Sequence, residues 1–407
     1  MARREFDLII WGATGFTGQL VVEYLAQNYG VGGDLNWAIG GRNQDKLEQV
    51  RTDCLAPDQR EQLPLVIADS ADQQSLDDMV ARSSVVCSTV GPYAKYGTPL
   101  VAACAGAGTD YCDLTGEVQW MAKVIPTYQE RARESGARIV HTCGFDSIPS
   151  DLGTWFLQQQ MLARHGVPAM RVKARVGRNR GAASGGTIAS MMHLMEQARK
   201  DPSIRKLVAD PYALYPEGIA PGEDGPDQTG VRFDPDFHQW TSPFIMGVVN
   251  TRVVRRSNAL LGFPWGEDFR YDEAVLNRSK WQAKQIALAT GAGMAALAIG
   301  PTRMLAKRFL PAPGEGPSRK QREAGFYEIF FYGVHPTSRD DDMLVKVTGD
   351  MDPGYGSTSK MLGEAAVCLA LDDLPVEGGF WTPASAMGQA LLERLTTSAG
   401  LGFEIVK

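Results

Sequence analysis

The sequence predicts an α/β protein with a Rossmann-type doubly wound parallel sheet and a second, mixed α/β domain. Three observations support this prediction. Through the first 145 residues, short apolar runs alternate with helical patterns, as strands and helices do in repeated βα units. The first of these runs leads directly into a glycine-rich turn. Beyond residue 151 the pattern changes to strands in which polar and apolar residues alternate, which is typical of antiparallel sheets with one solvated face.

Composition excludes several classes of function. The 407 residues include 41 basic and 47 acidic side chains, and the formal net charge of −6 offers no general attraction for nucleic acid. The six cysteines form no Cys-x-x-Cys pair, and the five histidines have no metal-ligand spacing, so we expect no metal and reduced thiols. The first apolar run is too short for a signal peptide. We therefore expect a cytoplasmic protein, and whether it also associates with a membrane stays open.

The first predicted strand, Phe6–Trp11, ends in the sequence GATGFTG and is followed by a helical pattern. In this spacing the first glycine permits a tight turn, the second lets the backbone approach a pyrophosphate, and the third lets the helix pack on the strand. The free N–H groups at the start of the helix face the phosphates. A simple tight turn is the alternative. The flanking strand and helix favour a dinucleotide site formed by Gly12, Ala13, Thr14, Gly15, Phe16, Thr17 and Gly18.

The end of the second predicted strand, residues 35–41, indicates which dinucleotide binds. An enzyme that uses NAD places an acidic residue here for the ribose hydroxyls, but this sequence has Gly40, Gly41 and Arg42. A guanidinium can bind a 2′-phosphate through two hydrogen bonds, so Arg42 favours NADP(H) as the cofactor. Lys46, one helical turn further on, either adds positive charge or is an ordinary exposed helix residue.

The third predicted strand, residues 63–69, ends in Asp69. In doubly wound folds this position often lies near the adenine of the cofactor. An aspartate is also suited to cap the helix that follows, as Ser70 or Asp72 are. Both interpretations of Asp69 stay open.

The loop after the fourth predicted strand is expected to run beside the nicotinamide. The strand covers residues 83–90 and the loop GPYAKYG covers residues 91–97, at the carboxyl end of the sheet where ligands of such folds bind. We therefore assign four further residues to the cofactor site: Thr89, Val90, Gly91 and Pro92.

A reductase that takes hydride from NADPH needs a proton donor for a C=C or C=O acceptor. Tyr93 and Tyr96, on the nicotinamide loop, are the first candidates, with aromatic stacking or loop packing as the alternative. Asp146 follows the last strand of the cofactor domain, and Glu117 ends the preceding strand. Each of these two carboxyl groups is either an acid or a helix cap. The chain has no Tyr-x-x-x-Lys pair, so a short-chain-dehydrogenase mechanism is not supported.

Several motifs of this chain occur together in one known family. They are GATGFTG, GGR, STVGPYAKYG, DYCDLTGE and GFDSIPSDL and, far downstream, PGEGPSRKQREAGFYEI and VTGDMDPGYGSTSKM. On these motifs the chain resembles the saccharopine dehydrogenase-like oxidoreductases, and among them the trans-acting enoyl reductase branch. The resemblance implies an NADP-binding domain at residues 1–150, an inserted substrate and dimerisation domain at 151–352, and a C-terminal segment at 353–407 that returns to the first domain.

A helix of the second half is a candidate substrate site. It opens with Ser184, Gly185, Gly186 and Thr187, after a predicted strand at residues 170–177. The start of a helix is suited to bind a carboxylate, a thioester oxygen or the phosphate of a phosphopantetheine arm. Ordinary capping by serine or threonine is the alternative.

Two segments allow more than one interpretation. Residues 211–244, rich in Pro, Gly and Asp, predict a lid over a substrate opening or, equally, a disordered or dimer-contacting loop. Residues 285–302 are uncharged, are preceded by Trp281 and are followed by Arg303. This second segment fits a buried or dimer-forming helix, an interfacial helix that docks on lipid or lines an acyl tunnel, or a membrane-spanning helix.

The sequence therefore predicts an NADPH-dependent reductase of a lipid-like or carrier-bound unsaturated substrate, acting as a homodimer. A saccharopine-type amino-acid dehydrogenase is the second hypothesis. It needs a basic cluster for several carboxylates, which Arg252, Arg255 and Arg256 could supply, although a solvated basic stripe is the simpler interpretation. A non-catalytic NADP(H)-binding protein at a membrane surface is the third hypothesis.

Overall fold

The computed structural model describes residues 4–181, 185–298 and 316–407. These residues form two seven-stranded sheets with helices packed against them. We call them the first sheet and the second sheet, in the order in which the chain enters them.

The first sheet is parallel in every described strand pair, and its central strands are buried on both faces. Its strands are β1 (Phe6–Trp11), β2 (Trp37–Gly41), β3 (Leu65–Ile67), β4 (Ser83–Ser88), β5 (Asp110–Asp113), β6 (Arg138–Val140) and β13 (Gly379–Trp381). They lie in the order β13-β6-β5-β4-β1-β2-β3. The order reverses between β1 and β4, so the predicted doubly wound α/β fold is confirmed.

Five helices connect the strands of the first sheet. They are α1 (Phe16–Asn28), α2 (Gln44–Cys54), α3 (Gln73–Ala81), α4 (Tyr93–Ala107) and α5 (Val118–Ser135). The sequence predicted a loop over residues 91–97, but α4 already begins at Tyr93. The reason is a cap that is distant in sequence, because the carboxylate of Glu117 accepts hydrogen bonds from the backbone N–H groups of Tyr93 and Ala94 at 2.8 and 3.0 Å.

The second sheet is mixed, and only its β7–β10 pair is parallel among the described pairs. Its strands are β7 (Arg171–Arg180), β8 (Arg232–Asp234), β9 (Gln239–Pro243), β10 (Arg270–Asn277), β11 (Phe326–Val334), β12 (Met343–Gly349) and β14 (Leu401–Ile405). They lie in the order β14-β12-β11-β7-β10-β9-β8. Strict alternation of buried and half-buried residues along β11 and β12 shows that one face of this sheet packs on a core.

The remaining helices surround the second sheet and join it to the first. They are α6 (Ile148–His165), α7 (Gly185–Lys200), α8 (Pro202–Ala209), α9 (Gly247–Leu260), α10 (Lys280–Ala298), α11 (Arg319–Glu323), α12 (Thr358–Leu371) and α13 (Pro383–Thr397). Helix α6 packs on β11 and β12, and α9 packs on β10. Among the described residues, no helix combines the length and the apolar character needed to cross a membrane.

The C-terminal segment contributes to both sheets. Strand β13 extends the first sheet by pairing with β6, and α12 packs on β1, β4 and β5. The last strand, β14, instead pairs antiparallel with β12 at the edge of the second sheet. The end of the chain thus fastens the two sheets together, while the predicted domain boundaries stay a prediction.

Candidate functional site

The candidate site lies at the carboxyl edge of the first sheet. In a parallel sheet the loops that follow the strands all emerge at this edge, and ligands bind where the strand order reverses. Here the reversal lies between β1 and β4, so the turn after β1 and the loop after β4 are neighbours.

The turn after β1 requires glycine at its two ends. Gly12 has a φ of +86°, and a Cβ atom there would lie 2.6 Å from Val90 Cγ2. A Cβ atom on Gly18 would lie 2.2 Å from the carbonyl oxygen of Gly12. Helix α1 has no side-chain cap, so its first N–H groups are free to bind an anion. A turn of this shape fits the pyrophosphate of a dinucleotide.

The loop after β4 holds the glycine turn in place. The hydroxyl of Thr89 lies 3.1 Å from the carbonyl oxygen of Gly12 and 3.2 Å from that of Trp11, and it donates in this direction. Val90 touches the same turn. Thr89 therefore shapes the cradle through the backbone of the turn, and the predicted site residues Gly91 and Pro92 follow it directly.

Two predicted cofactor residues follow β2 and β3. Arg42 comes directly after β2, is exposed, and has no hydrogen bond or ion pair with any described residue. Its guanidinium is thus available for an anionic ligand. The carboxylate of Asp69 accepts a hydrogen bond from the N–H of Ala71 at 2.9 Å, while Asp72 caps α3. The helix-cap interpretation of Asp69 is therefore wrong, and its place near the adenine stays a prediction.

The two tyrosines proposed as proton donors lie in different environments. Tyr93 is 4% exposed, stacks on Trp120, and donates its hydroxyl to the carbonyl of Ser88 at 3.0 Å. Burial raises the pKa of Tyr93 well above its usual value. This favours the packing alternative for Tyr93. Tyr96 is 37% exposed, and the ammonium of Lys95 lies over its ring.

Asp146 is half-buried in the loop that follows β6. Its carboxyl group has no hydrogen bond or ion pair with any residue that the structure describes. It lies close to Gly116, where a Cβ atom would be 4.0 Å from Asp146 Cγ, and Val249 and Met246 of the α9 start border the same point. Burial, and then the negative charge of Asp113, raise the pKa of Asp146 to about 7. A carboxyl group in this state can donate a proton at neutral pH.

Asp113 is a residue of this edge that the sequence analysis missed. It is fully buried at the end of β5 and accepts hydrogen bonds from the hydroxyl of Tyr111 and from His141 Nδ1, at 3.0 and 2.8 Å. It also accepts the backbone N–H groups of Thr115 and Thr142, so it holds the loops after β5 and β6 together. The motif DYCDLTGE was the available signal, because a second aspartate inside a buried strand needs partners.

The segment around residue 355, part of the C-terminal segment expected to return to the first domain, packs against Phe16 of the glycine turn, a contact that was not predicted. The ring of Tyr355 packs edge-on against Phe16 with 4.7 Å between centroids, and the guanidinium carbon of Arg322 lies 5.6 Å from the Phe16 ring. Gly316 approaches the same ring so closely that a Cβ atom would lie 2.3 Å from it. Residues that flank the second sheet therefore close over the predicted pyrophosphate turn, and the downstream motifs PGEGPSRKQREAGF and PGYGST were the signal.

The predicted substrate helix lies beside this edge. Ser184 lies outside the described residues, while Gly185, Gly186 and Thr187 begin α7. Further along the same helix, the hydroxyl of Ser190 donates to Glu117 Oε1 at 2.9 Å. Glu117 thus caps α4 and also links α7 to the first sheet, which supports the capping interpretation of Glu117. The ligand assigned to the start of α7 stays a prediction.

The three arginines of α9 form neither an exposed cluster nor a solvated stripe. Arg252, Arg255 and Arg256 are 1%, 3% and 4% exposed. Arg252 pairs with Asp227, Arg255 pairs with Asp224 at 2.8 Å, and Arg256 donates to the carbonyls of Leu214 and Phe380. Both sequence interpretations were wrong. The arginines bind the chain between residues 208 and 227, so they are not available for the carboxylates of a substrate.

Comparison with known proteins agrees with this architecture. Residues 8–140 match the family described as saccharopine dehydrogenase NADP binding domain. A trans-acting enoyl reductase of Mycobacterium ulcerans is 41% identical over 414 residues, which cover 97% of this chain and 96% of the relative. A Mycobacterium tuberculosis protein, named as a trans-acting enoyl reductase on a putative basis, is 42% identical over 419 residues, covering 99% and 98%.

A solved structure shows the same fold. It is the apo form of the saccharopine dehydrogenase (L-Glu forming) of Saccharomyces cerevisiae, which is 13% identical, with a TM-score of 0.52 and coverage of 98% of this chain and 99% of that one. With the sequence relatives, this confirms the resemblance that the motifs indicated. The chain belongs to the saccharopine dehydrogenase-like oxidoreductases, in the branch of the trans-acting enoyl reductases.

Proposed function

We propose that this protein is an NADPH-dependent reductase of the C=C bond of an enoyl group carried by a lipid-like or carrier-bound substrate. The observation that carries the proposal is the arrangement at the carboxyl edge of the first sheet. There a glycine turn shaped for a pyrophosphate lies in the same edge as a carboxyl group, that of Asp146, which has no described partner and a pKa of about 7. Hydride reduction of a C=C bond requires both a hydride and a proton.

The cofactor site is proposed to consist of the turn Gly12–Gly18, Arg42, Asp69 and residues 89–92. NADPH bound there supplies hydride. The N–H groups that begin α1 bind the pyrophosphate, and Arg42 binds the 2′-phosphate. Phe16, held by Tyr355 and Arg322, fixes the start of α1 from the side of the second sheet.

Asp146 is the proposed proton donor, in preference to the tyrosines. The hydroxyl of Tyr93 is already engaged with the carbonyl of Ser88. Tyr96 is 37% exposed and stays a second candidate. Asp146 differs because its carboxyl group has no such partner among the described residues. Burial, and then the charge of Asp113, raise its pKa to about 7, so a substantial fraction is protonated at neutral pH. Met246 and Val249 offer the apolar surroundings that an enoyl chain would contact.

Turnover of the Asp146→Asn variant tests the donor. An amide cannot supply the proton, so we expect a loss of kcat of about 100-fold or more, with the Kd for NADPH unchanged. Because the protonated carboxyl group is the active form, the wild-type rate should fall as pH rises through about 7, and the variant should lose this dependence. Tyr96→Phe is the matched control, and a larger loss there than in Asp146→Asn would assign the proton to Tyr96.

Binding of the two dinucleotides to Arg42→Asp tests the cofactor preference. We expect NADPH to bind about 100-fold more weakly while NADH binding is unchanged, because the lost partner of Arg42 is the 2′-phosphate alone. Fluorescence titration of each reduced dinucleotide measures both constants. Lys46→Gln is the control. An equal loss of affinity for NADPH and for NADH would show that Arg42 does not bind the 2′-phosphate.

The alternative hypotheses have less support. A saccharopine-type dehydrogenase needs cations for several carboxylates, and Arg252, Arg255 and Arg256 are all bound inside the protein.

We also propose that the protein acts as a homodimer and that residues 285–302 allow contact with a membrane. Of these residues, 299–302 lie outside the described part of the chain.

A further inference from the structure

Helix α10 turns an apolar face towards solvent. Trp281 and Leu288 are 69% and 73% exposed, and Lys284 is exposed between them. These three residues lie three or four positions apart, so they share one face of the helix. Within the segment 285–302, Leu288 is thus not buried by its own chain, and the choice between a buried or dimer-forming helix and a lipid-contacting helix stays a prediction. An exposed apolar stripe of this kind marks a surface that binds a partner.

Aromatic side chains of the β8–β9 hairpin extend this face. Phe233 is 50% exposed and packs edge-on against Trp240, with 5.5 Å between ring centroids. The ammonium of Lys280, at the start of α10, lies 4.9 Å from the centroid of the Trp240 ring. Helix α10 and the hairpin thus form one continuous surface. We call it the α10 surface, and its members are Phe233, Trp240, Lys280, Trp281, Lys284 and Leu288.

The charged side chains of α10 and of the two residues before it are all positive. Residues 278–314 contain six basic residues and no aspartate or glutamate, in a chain whose net charge is −6. The basic residues of this stretch within the described part of α10 and its approach are Arg278, Lys280 and Lys284, and all three are exposed. The α10 surface therefore combines large apolar side chains with a local excess of cations.

An anionic lipid bilayer has the complementary chemistry. Tryptophan and other amphipathic rings favour the boundary between headgroups and acyl chains, and lysine and arginine are attracted to the negative headgroups. A second copy of this surface fits less well, because a two-fold contact between two α10 helices would bring their lysines together, and α10 carries no acidic residue to pair them.

We propose that the α10 surface binds the surface of an anionic membrane, with α10 lying among the headgroups and Trp281 and Leu288 inserted towards the acyl chains. The inference rests on the proposed function only in explaining why a reductase of a lipid-like substrate would be held at a membrane. Lipid binding is measured without NADPH or substrate, so failure of either proposal is distinguishable from failure of the other.

Co-flotation of the full chain with vesicles tests the proposal. Vesicles of equal parts phosphatidylcholine and phosphatidylglycerol should bind the protein, and pure phosphatidylcholine should bind it far more weakly. Replacing Lys280 and Lys284 together by glutamine should lower the affinity for the anionic vesicles on the order of tenfold or more. Trp281→Ala should lower it several-fold, because an indole is lost from the boundary region.

A double variant of exposed residues elsewhere, Met170→Ala with Lys123→Gln, is the matched control and should bind as the wild type does. Brominated phosphatidylcholine in the anionic vesicles should quench tryptophan fluorescence in the wild type, and Trp281→Phe should remove most of that quenching. This second measurement reports insertion of α10 itself. Circular dichroism of each variant confirms that the exposed substitutions leave the fold intact.

Three results would overturn the proposal. The first is equal binding to anionic and neutral vesicles, or no binding to either. The second is a full affinity for anionic vesicles in the Lys280→Gln/Lys284→Gln variant. The third is a dimer in sedimentation velocity that Trp281→Ala dissociates, since the α10 surface would then belong to a second copy of this chain.

Discussion

Helices α9 and α10 invert the usual relation between composition and burial. Helix α9 carries three arginines that are at most 4% exposed, whereas the large apolar residues Trp281 and Leu288 of α10 are 69% and 73% exposed. Burial of a charged side chain requires that its hydrogen-bonding groups be satisfied inside the protein. The two helices differ in whether distant parts of the chain supply such partners.

The arginines of α9 bind carbonyl and carboxylate groups, and most of these groups belong to a segment that lies 25 to 44 residues earlier in the chain. Arg255, for example, donates to Asp224 and to the carbonyls of Pro211 and Tyr271. A guanidinium has five N–H donors in a fixed plane, so one arginine can bind several separate segments of the chain. Residues 211–227 are thereby bound to α9. They are the first part of the segment 211–244, for which the sequence predicted a lid or, equally, a disordered or dimer-contacting loop. On α10, by contrast, Trp281 and Leu288 stay exposed.

Replacing Arg256 should have the largest effect on stability. Its guanidinium donates to the carbonyls of Leu214 and Phe380, at 2.7 and 2.9 Å, and so joins α9 to β13 of the first sheet. Burial lowers its pKa to about 10, so it stays charged at neutral pH. Arg256→Ala removes the hydrogen bonds to both carbonyls and leaves a cavity, and we expect a loss of about 3–4 kcal/mol in the free energy of unfolding.

Urea unfolding followed by circular dichroism measures this loss. The control is Arg133→Ala, an exposed arginine on α5 that pairs with Glu130, and it should change the free energy of unfolding by less than about 0.5 kcal/mol. Equal effects of the two substitutions would contradict the view that α9 is held by its buried cations.

Replacing Asp151, a buried acid that contacts α9, should have an intermediate effect on stability. Asp151 is fully buried and accepts hydrogen bonds from Ser257 of α9 and from the N–H of Ala384 at 2.8 Å. Burial outweighs these hydrogen bonds and raises its pKa to about 7. The folded protein therefore keeps a proton that the unfolded chain releases above about pH 4, so the free energy of unfolding should fall as pH rises towards 7.

Asp151→Asn removes this titration while an amide can still accept from Ala384 and contact Ser257. Between about pH 5 and pH 8 the wild type should lose about 2 kcal/mol more than the variant. The comparison is best made in an Asp146→Asn background, because burial and Asp113 also raise the pKa of Asp146 to about 7. Parallel pH curves for the two proteins would assign the pH dependence to another group.

Local patterns predicted most of the first sheet. The run FDLIIW and the turn GATGFTG specify a strand, a turn and a helix over consecutive residues, and the structure has them at the predicted positions. The start of α4 was misplaced by five residues, because its cap is Glu117, 24 residues away from Tyr93. Contacts of that kind are not encoded in the sequence near the helix they stabilise.

The candidate site could likewise be predicted where its residues lie close together in sequence. The turn at residues 12–18 and Arg42 follow from spacing within one βα unit, whereas the environment of Asp146 depends on Asp113, Gly116 and the start of α9. Sequence alone could name Asp146 as a candidate but could not separate it from Tyr93. The difference lies in hydrogen bonding, because the hydroxyl of Tyr93 finds the carbonyl of Ser88.

The smallest effect is expected on α10, at Leu288. Its side chain is 73% exposed, so Leu288→Ser should change the free energy of unfolding by less than about 0.5 kcal/mol in urea denaturation. The matched substitution on α9, Val254→Ser, removes a fully buried side chain and should cost about 3 kcal/mol. A loss of 2 kcal/mol or more in the free energy of unfolding for Leu288→Ser, about the value for a buried leucine, would mean that another copy of the chain covers α10 in solution. The difference in burial between α9 and α10 would then not hold. An unchanged stability together with weakened binding to anionic vesicles would place the role of Leu288 outside the fold, at the surface where α10 meets its partner.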